Sequence, residues 1–362
     1  MSQFYPLTIH SIKKETEQAV CLTFDLSADQ KKIFTFKHGQ YLTLKASIEG
    51  EECRRSYSIC SSVDEALRVA IKKVDKGVFS HWANTQLKQG DVIEVAPPDG
   101  KFTNTLNPDK KKVYLCIAAG SGITPVLSVV KTLLSQEPLC HLILLYGNQR
   151  VGTMMFKDEL LALKNRYLSR FQLMTFFTKE DQDIDILNGR ITNKKGAQLC
   201  QRLLDLTVID EYFLCGPESM ISEVSRGLTA QGIEQSCIHY ELFASSAEDA
   251  QTVVTKHHQR SQQRGGQVSQ LTVVLDGHKS HFDLAVDGEN ILDAALTHGM
   301  DVPYSCKGGV CATCKAKVLS GEVEMDLNHV LSKEDLAAGY VLSCQSHPIS
   351  SQLVIDFDQG KM

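Results

Sequence analysis

Only nine prolines stand among the 362 residues, and no internal repeat orders the 24 glycines. Those scarcities exclude a collagenous, mucin-like or wholly disordered chain. The opening MSQFYPLTIHSIKKE has no basic stretch followed by an apolar one. Without such a leader the twelve cysteines are expected to be reduced thiols of a cytoplasmic protein. A clean membrane-length apolar run is missing too. The longest uncharged stretch, 113–130, has 18 residues, but Gly120-Ser121-Gly122 and Pro125 interrupt it. It therefore reads as a buried strand, a tight turn and a helix, and no integral membrane span is expected. Nor is there a basic excess: residues 269–362 hold 13 Asp and Glu against 6 Lys and Arg, a net of −7, while the remainder nets +2. Nucleic acid is thereby excluded as a partner of the last quarter, and a basic protein surface is favoured. What remains is an ordinary globular composition, 43% hydrophobic and 22% charged, long enough for two or three domains.

The texture of the chain changes along its length. Short apolar segments at 19–24, 40–45, 56–60, 67–74 and 92–95 alternate with turn residues, the pattern of an antiparallel barrel over residues 1–107. Strand-like runs at 113–118, 142–146, 171–177 and 211–215 then alternate with helix-length amphipathic stretches. This alternation implies a parallel α/β domain over 108–243. Residues 244–270 are polar, with Val253-Val254 as almost the sole apolar pair, and read as a solvated linker. A further domain fills 271–362.

The sharpest chemical signal lies in that last domain. Cys306, Cys311 and Cys314 form C-x4-C-x2-C, and Cys344 follows after 29 intervening residues, the plant-type spacing for a 2Fe-2S cluster. Soft thiolates suit iron bridged by sulfide, and Gly308 and Gly309 let backbone N–H groups approach the sulfurs. A structural zinc site would more often show paired C-x2-C knuckles; it and a chance grouping of buried cysteines are the alternatives.

Two weaker groups precede it. Arg55-Ser56-Tyr57-Ser58 alternates on a strand, so Arg55 and Tyr57 share one face, able to hold a phosphate and cover an aromatic ring, and Ser58 takes the other. Gly77-Val78-Phe79-Ser80 precedes a helix expected at 81–87, where backbone N–H groups and the Ser80 hydroxyl favour a pyrophosphate. Alone, either motif could be a polar strand edge or an ordinary turn. In the α/β region Gly120-Ser121-Gly122-Ile123-Thr124-Pro125 opens a helix. Pro125 replaces the last glycine of the usual dinucleotide fingerprint and is expected at the first helical position. Tyr146-Gly147-Asn148 and Cys215-Gly216-Pro217-Glu218-Ser219-Met220 end two further strands. Ligands of open α/β sheets bind beyond such strand ends, so the three turns outline one crevice.

In this order the motifs resemble the ferredoxin–NADP reductase superfamily, and specifically the oxygenase reductases that carry a C-terminal plant-type ferredoxin domain. The resemblance implies a flavin-binding β-barrel, a nicotinamide α/β domain and an α+β ferredoxin domain of β-grasp type. It implies FAD held by Arg55, Tyr57, Ser58, Gly77, Phe79 and Ser80. The nicotinamide coenzyme would be held by Gly120, Gly122, Thr124, Pro125, Gly216 and Pro217. Ser58, Cys215 and Glu241 would line the hydride path, with Phe243 at the flavin edge, although Cys215 also reads as a small buried thiol at a strand end. Thr178-Lys179 stands where NADPH-using relatives place a Ser-Arg pair, so NADPH is expected, with Arg190 as a second charge. A cluster ligated by Cys306, Cys311, Cys314 and Cys344 would then feed an oxygenase or desaturase component with non-haem iron, docking through the acidic domain. Asn188-Gly189-Arg190-Ile191 and His239-Tyr240-Glu241-Leu242-Phe243 fit the group that serves phenylacetyl-CoA epoxidase. Reductases of ketosteroid hydroxylases, fatty-acyl desaturases or ring-hydroxylating dioxygenases are the alternatives, as is a stand-alone NAD(P)H oxidase or diaphorase.

Overall fold

Inward-facing aliphatics spaced two apart build the first sheet. The computed structural model describes residues 3–243 and 247–360 and divides into two units, Phe4–Glu241 and a second formed mainly by Leu242–Met362. In the first, β1 (Tyr5–Thr16), β2 (Ala19–Asp25), α1 (Ala28–Ile33), β3 (Tyr41–Ile48), β4 (Glu51–Ser58), β5 (Arg68–Lys72), α2 (Val78–Thr85) and β6 (Val92–Val95) follow one another. The strands pair antiparallel in the order β4-β3-β6-β1-β2-β5. A bridge between Ile59 and Val69 joins the chain just past β4 to β5, so the sheet closes into the expected barrel. Leu7, Leu22, Leu42, Leu44, Val69, Ile71 and Val95 fill it. Strand β1 has no counterpart in the sequence expectations, because only Leu7 and Ile9 along its twelve residues are fully buried and its second half is charged.

The same unit continues with β7 (Val113–Ala119), α3 (Ile123–Gln136), β8 (His141–Asn148), α4 (Lys157–Arg166), β9 (Phe171–Phe177), α5 (Asn193–Arg202), β10 (Glu211–Cys215), α6 (Glu218–Ala230) and β11 (Ile238–Glu241). All five strands are parallel, ordered β11-β10-β7-β8-β9. Every residue from Ile123 to Leu134 is buried, because α3 lies between this sheet and barrel residues such as Cys21, Cys60, Ala70 and Phe102. That position accounts for the uncharged stretch: β7 is central in a parallel sheet, and α3 is covered on all sides. Pro125 is the third residue of α3 rather than the first, since a 3₁₀ turn at Gly120–Gly122 leads straight into Ile123. Its missing N–H still costs nothing there, being one of the four that a helix start leaves free.

Polar contacts fix α3 against the barrel. The Ser128 hydroxyl donates to the Ser61 carbonyl at 2.7 Å. Lys131, buried, pairs with Glu65 and Glu159, and Glu159 also takes Arg68 at 2.8 Å. Desolvation offsets most of the attraction in such a cluster, so its chief effect is to specify how the barrel meets the helix.

The second unit corrects one expectation. Of the segment 244–270 read as a solvated linker, 244–246 lie outside the described residues, while 247–264 form the helix α7 (Ala247–Arg264). It contains neither Gly nor Pro, which permits a helix; its inward stripe is polar, which concealed it. The unit continues through β12 (Val268–Leu275), β13 (His278–Ala285), α8 (Ile291–Thr297), β14 (Lys315–Ser320), β15 (Val323–Met325), α9 (Lys333–Ala337), β16 (Tyr340–Leu342), β17 (Ser346–Pro348) and β18 (Gln352–Asp356). A five-stranded mixed sheet, β13-β12-β18-β14-β16, has its one parallel pair between β12 and β18. Ile291, Leu292, Ala294 and Ala295 of α8 join its core, the expected α+β arrangement. Strands β15 and β17 form a separate ribbon.

Candidate functional site

The crevice forms where the parallel strands end. Gly122 abuts the end of β10: a Cβ there would fall 2.1 Å from the Cys215 carbonyl oxygen. One on Gly216 would lie 2.7 Å from Met220 Cε and 3.1 Å from Ala119 Cβ. These two glycines therefore serve the close approach of two turns. Gly120 has φ +55°, and its carbonyl accepts from the Tyr146 hydroxyl at 3.1 Å. Thr124 and Pro125 are buried turn-builders, with the Thr124 hydroxyl donating to the Ser121 carbonyl at 3.0 Å. Pro217 is exposed and its carbonyl opens α6, accepting from Met220 N–H at 3.0 Å.

Three residues expected to act together do meet. Strands β10 and β11 pair Cys215 with Glu241, and the Ser58 hydroxyl, arriving from the end of β4, donates to Glu241 Oε2 at 3.0 Å. Burial pushes the Glu241 carboxyl up to about 8, a rise that the Ser58 hydroxyl moderates. Burial, and secondarily Glu241, raises the Cys215 thiol well above its ordinary range, so at neutral pH it is a neutral packing group. A carboxyl that holds its proton more tightly folded than unfolded makes the fold lose stability as pH rises from its ordinary 4.5 toward about 8. Glu241→Gln should therefore match wild type in Tm at about pH 5 and exceed it increasingly up to about pH 8.5. Parallel Tm curves over that range would count against the raised value.

On the barrel, the R-x-Y-S and G-x-x-S motifs are joined by their aromatics. The Tyr57 ring packs at 5.6 Å from Phe79, and Phe79 meets Trp82 edge-on at 5.4 Å. Phe79 is core, so its side chain supports Tyr57, while its backbone N–H lies in the first turn of α2. Gly77 caps that helix. The Ser80 hydroxyl turns inward, accepting from Val74 N–H at 3.1 Å and donating to the Gly77 carbonyl at 3.1 Å; it shapes the loop rather than facing out of it. Arg55 is exposed beside this shelf. Phe243 is 40% exposed and falls in the second unit.

Thr178 and Lys179 are exposed just past β9. A bridge from Phe177 to Asn188 and a 2.7 Å bond from Gly189 N–H to the Phe177 carbonyl bring the Arg190 loop to the same strand end. Sequence reasoning missed Lys72. Its ammonium lies 3.7 Å from where a Cβ of Gly120 would stand, half-buried, held below its ordinary pKa by burial alone, with no ion-pair partner among the described residues. A lysine closing β5 just ahead of the G-x-x-S turn was the signal available. An unpaired cation beside a glycine turn suits a phosphate-bearing ligand.

In the second unit the cysteines meet in two pairs, Cys306 with Cys311 and Cys314 with Cys344. Cys314 and Cys344 sulfurs are 3.3 Å apart. Gly308 N–H points at the Cys306 sulfur at 3.3 Å, and Gln345 Nε2 lies 3.7 Å from that of Cys344. Left-handed backbone at Lys307, Gly309 and Ala312 curls the loop around the sulfurs. The Cys306 thiol is lowered to about 6, first by Cys311 and then, against burial, by the N–H groups of Gly308, Val310 and Cys311. Clustered soft sulfurs with N–H donors aimed at them fit a 2Fe-2S group, and the shelf, glycine turns and unpaired Lys72 fit FAD and a nicotinamide dinucleotide.

Comparison with known proteins bears on each part. An oxidoreductase FAD-binding domain model matches residues 6–104, an oxidoreductase NAD-binding domain model 116–226, and a 2Fe-2S iron-sulfur cluster binding domain model 273–348. A component of 1,2-phenylacetyl-CoA epoxidase from Escherichia coli (strain K12) is 43% identical over 363 residues, covering 100% of both chains. The chain belongs to this family of flavin and iron–sulfur reductases. The ferredoxin reductase component of 3-ketosteroid-9-alpha-monooxygenase from Rhodococcus rhodochrous is 32% identical to the reductase, over 97% of it and 96% of that relative. Phthalate dioxygenase reductase shares its fold, with a TM-score of 0.61 at 22% identity over 98% of each chain. The reductase is thus an oxidoreductase of ferredoxin-reductase type with FAD, nicotinamide and 2Fe-2S domains. FAD bound there would supply the conversion between a two-electron hydride and single electrons that such a chain needs. Among the described residues no helix is long and apolar enough to cross a membrane.

Proposed function

We propose that the reductase carries electrons from NADPH through FAD and the 2Fe-2S cluster to an oxygenase of phenylacetyl-CoA epoxidase type that holds non-haem iron. The full-length 43% identity to a component of that epoxidase carries this reading. Ser58, Cys215 and Glu241 would position the nicotinamide against the flavin. Arg55, Tyr57 and the first turn of α2 after Gly77 would hold FAD. The turns at Gly120–Gly122 and at Gly216-Pro217, with Lys72, would hold the dinucleotide, and Thr178, Lys179 and Arg190 its 2′-phosphate. Cys306, Cys311, Cys314 and Cys344 would ligate the cluster. Cytoplasmic residence is supported by the eight cysteines outside the cluster set, none of which is in a disulfide.

Reconstitution with a purified phenylacetyl-CoA epoxidase oxygenase tests the reading. NADPH-dependent epoxidation should require the reductase and should slow as ionic strength rises, because the −7 charge of residues 269–362 would steer docking. Flavin reduction should change much less with salt. Lys179→Ala should raise the KM for NADPH about tenfold while leaving NADH nearly untouched, the loss of one charge-assisted contact being worth about 1.5 kcal/mol or more. An oxygenase that accepts electrons only from another reductase, or a kcat/KM for NADH equal to that for NADPH, would reject the corresponding part.

A further inference from the structure

Helix α7 is attached by an unusual means. Val253 and Val254 are its sole branched aliphatics, and Val254 is 61% exposed. Its anchors are charged and stand seven, four and four residues apart, which keeps them along one face. Lys256 donates to the Met325 and Asp326 carbonyls at 2.8 and 3.0 Å. Arg260, 3% exposed, grips the Asp326 carboxylate with two nitrogens at 2.5 and 3.1 Å. Arg264 donates to the Ile349 carbonyl at 2.6 Å, and Asp249 pairs with His329 at 3.1 Å. The Asp326 carboxylate takes His347 as a further partner at 3.3 Å.

The segment gripped by α7, residues 325–329, touches both cysteine loops on its other side. His329 N–H donates to the Gly309 carbonyl at 3.2 Å, inside the loop of Cys306, Cys311 and Cys314. Asp326 N–H donates to the Gln345 carbonyl at 2.8 Å, next to Cys344, and the Leu342 N–H lies 3.3 Å from Met325 Sδ. The buried triad of Arg260, Asp326 and His347 also leaves Arg260 Nε and His347 Nδ1 without partners. Burying charge at that cost is a poor route to stability, so what the triad contributes is geometry.

We propose that α7 is a brace for the iron–sulfur site, in which Arg260, with Lys256 and Asp249, acts as a positioning residue that holds residues 325–329 against both cysteine loops. The brace rests on the cluster reading above. Outer-shell partners of this kind set metal retention by factors of 10–100.

Full-length protein loaded with FAD and cluster tests it. Arg260→Met should lose its cluster to an iron chelator about tenfold faster than wild type and shift the EPR line shape of the reduced cluster. Arg260→Lys should recover most of the wild-type spectrum, and flavin reduction by NADPH should be unchanged in both. In protein stripped of iron, hydrogen exchange at 325–329 should quicken in Arg260→Met. His257→Ala, on the exposed side of α7, should behave as wild type. Faster loss with an unaltered spectrum would mean that Arg260 only adds stability, and would overturn the brace, as would wild-type kinetics and spectrum. Should Arg260→Met fail to fold, Lys256→Met, which keeps the triad, decides: the same two readouts should move, and wild-type values would reject the proposal. Absence of iron and sulfide from the wild type itself would defeat the cluster reading instead.

Discussion

Cys344→Ser should erase the visible absorption and EPR signal of the cluster while NADPH bleaches the flavin at a rate within about twofold of wild type. The Cys344 side chain is 3% exposed and its sulfur lies 3.3 Å from that of Cys314, so a serine oxygen could not be replaced by a thiolate from elsewhere. A hard hydroxyl is a poor substitute for a soft ligand to an iron–sulfur group. Electron delivery to the proposed oxygenase should fall by at least the 100-fold that marks the upper end for outer-shell changes, since on the proposed ligation a direct ligand would be removed. On the proposed assignment the hydride step is spared, because Ser58, Cys215 and Glu241, which would position it, belong to the other unit. Full iron and sulfide content in both Cys344→Ser and Cys311→Ser would refute the ligation, and a cluster lost together with the flavin would refute the separation of the two steps.

Much of this organisation was legible in the residues, for identifiable reasons. The strands at 92–95, 171–177 and 211–215 have the expected bounds because their apolar residues are bracketed by charge or turn residues. The three-part order could be read because each part has its own periodicity and motif. What escaped notice was polar. Strand β1 shows two fully buried side chains, too few for a pattern, and α7 is held by charges that read as a solvated surface. Side-chain direction within motifs was equally invisible: Ser80 and Phe79 carry the right letters, yet both point inward. Lys72 belonged to no motif and gained meaning only when its ammonium came to lie beside Gly120.

Gly122→Ala should slow reduction of the flavin by NADPH on the order of 100-fold, with FAD content and the cluster EPR signal intact. The backbone at Gly122 is ordinary right-handed, φ −59° and ψ −10°, so no conformational reason demands glycine there. Clearance does. A methyl group would stand 2.1 Å from the Cys215 carbonyl oxygen, 2.4 Å from its carbon and 2.8 Å from Gly216 N, all backbone atoms that cannot rotate away. The two turns must therefore part by about 1 Å to reach van der Waals contact. That movement carries Cys215 away from its place beside Glu241 and Ser58. Hydride transfer tolerates such a shift poorly, because about 1 Å of misplacement in a positioned reaction costs roughly 10²-fold. Gly120→Ala separates clearance from conformation: its φ of +55° would cost a side chain about 1–2 kcal/mol, but its nearest neighbour is the flexible Lys72 ammonium at 3.7 Å. It should lower stability modestly and leave most of the hydride rate. Equal flavin reduction by Gly122→Ala and wild type would mean that the turns ending β7 and β10 need not touch for the nicotinamide to reach the flavin.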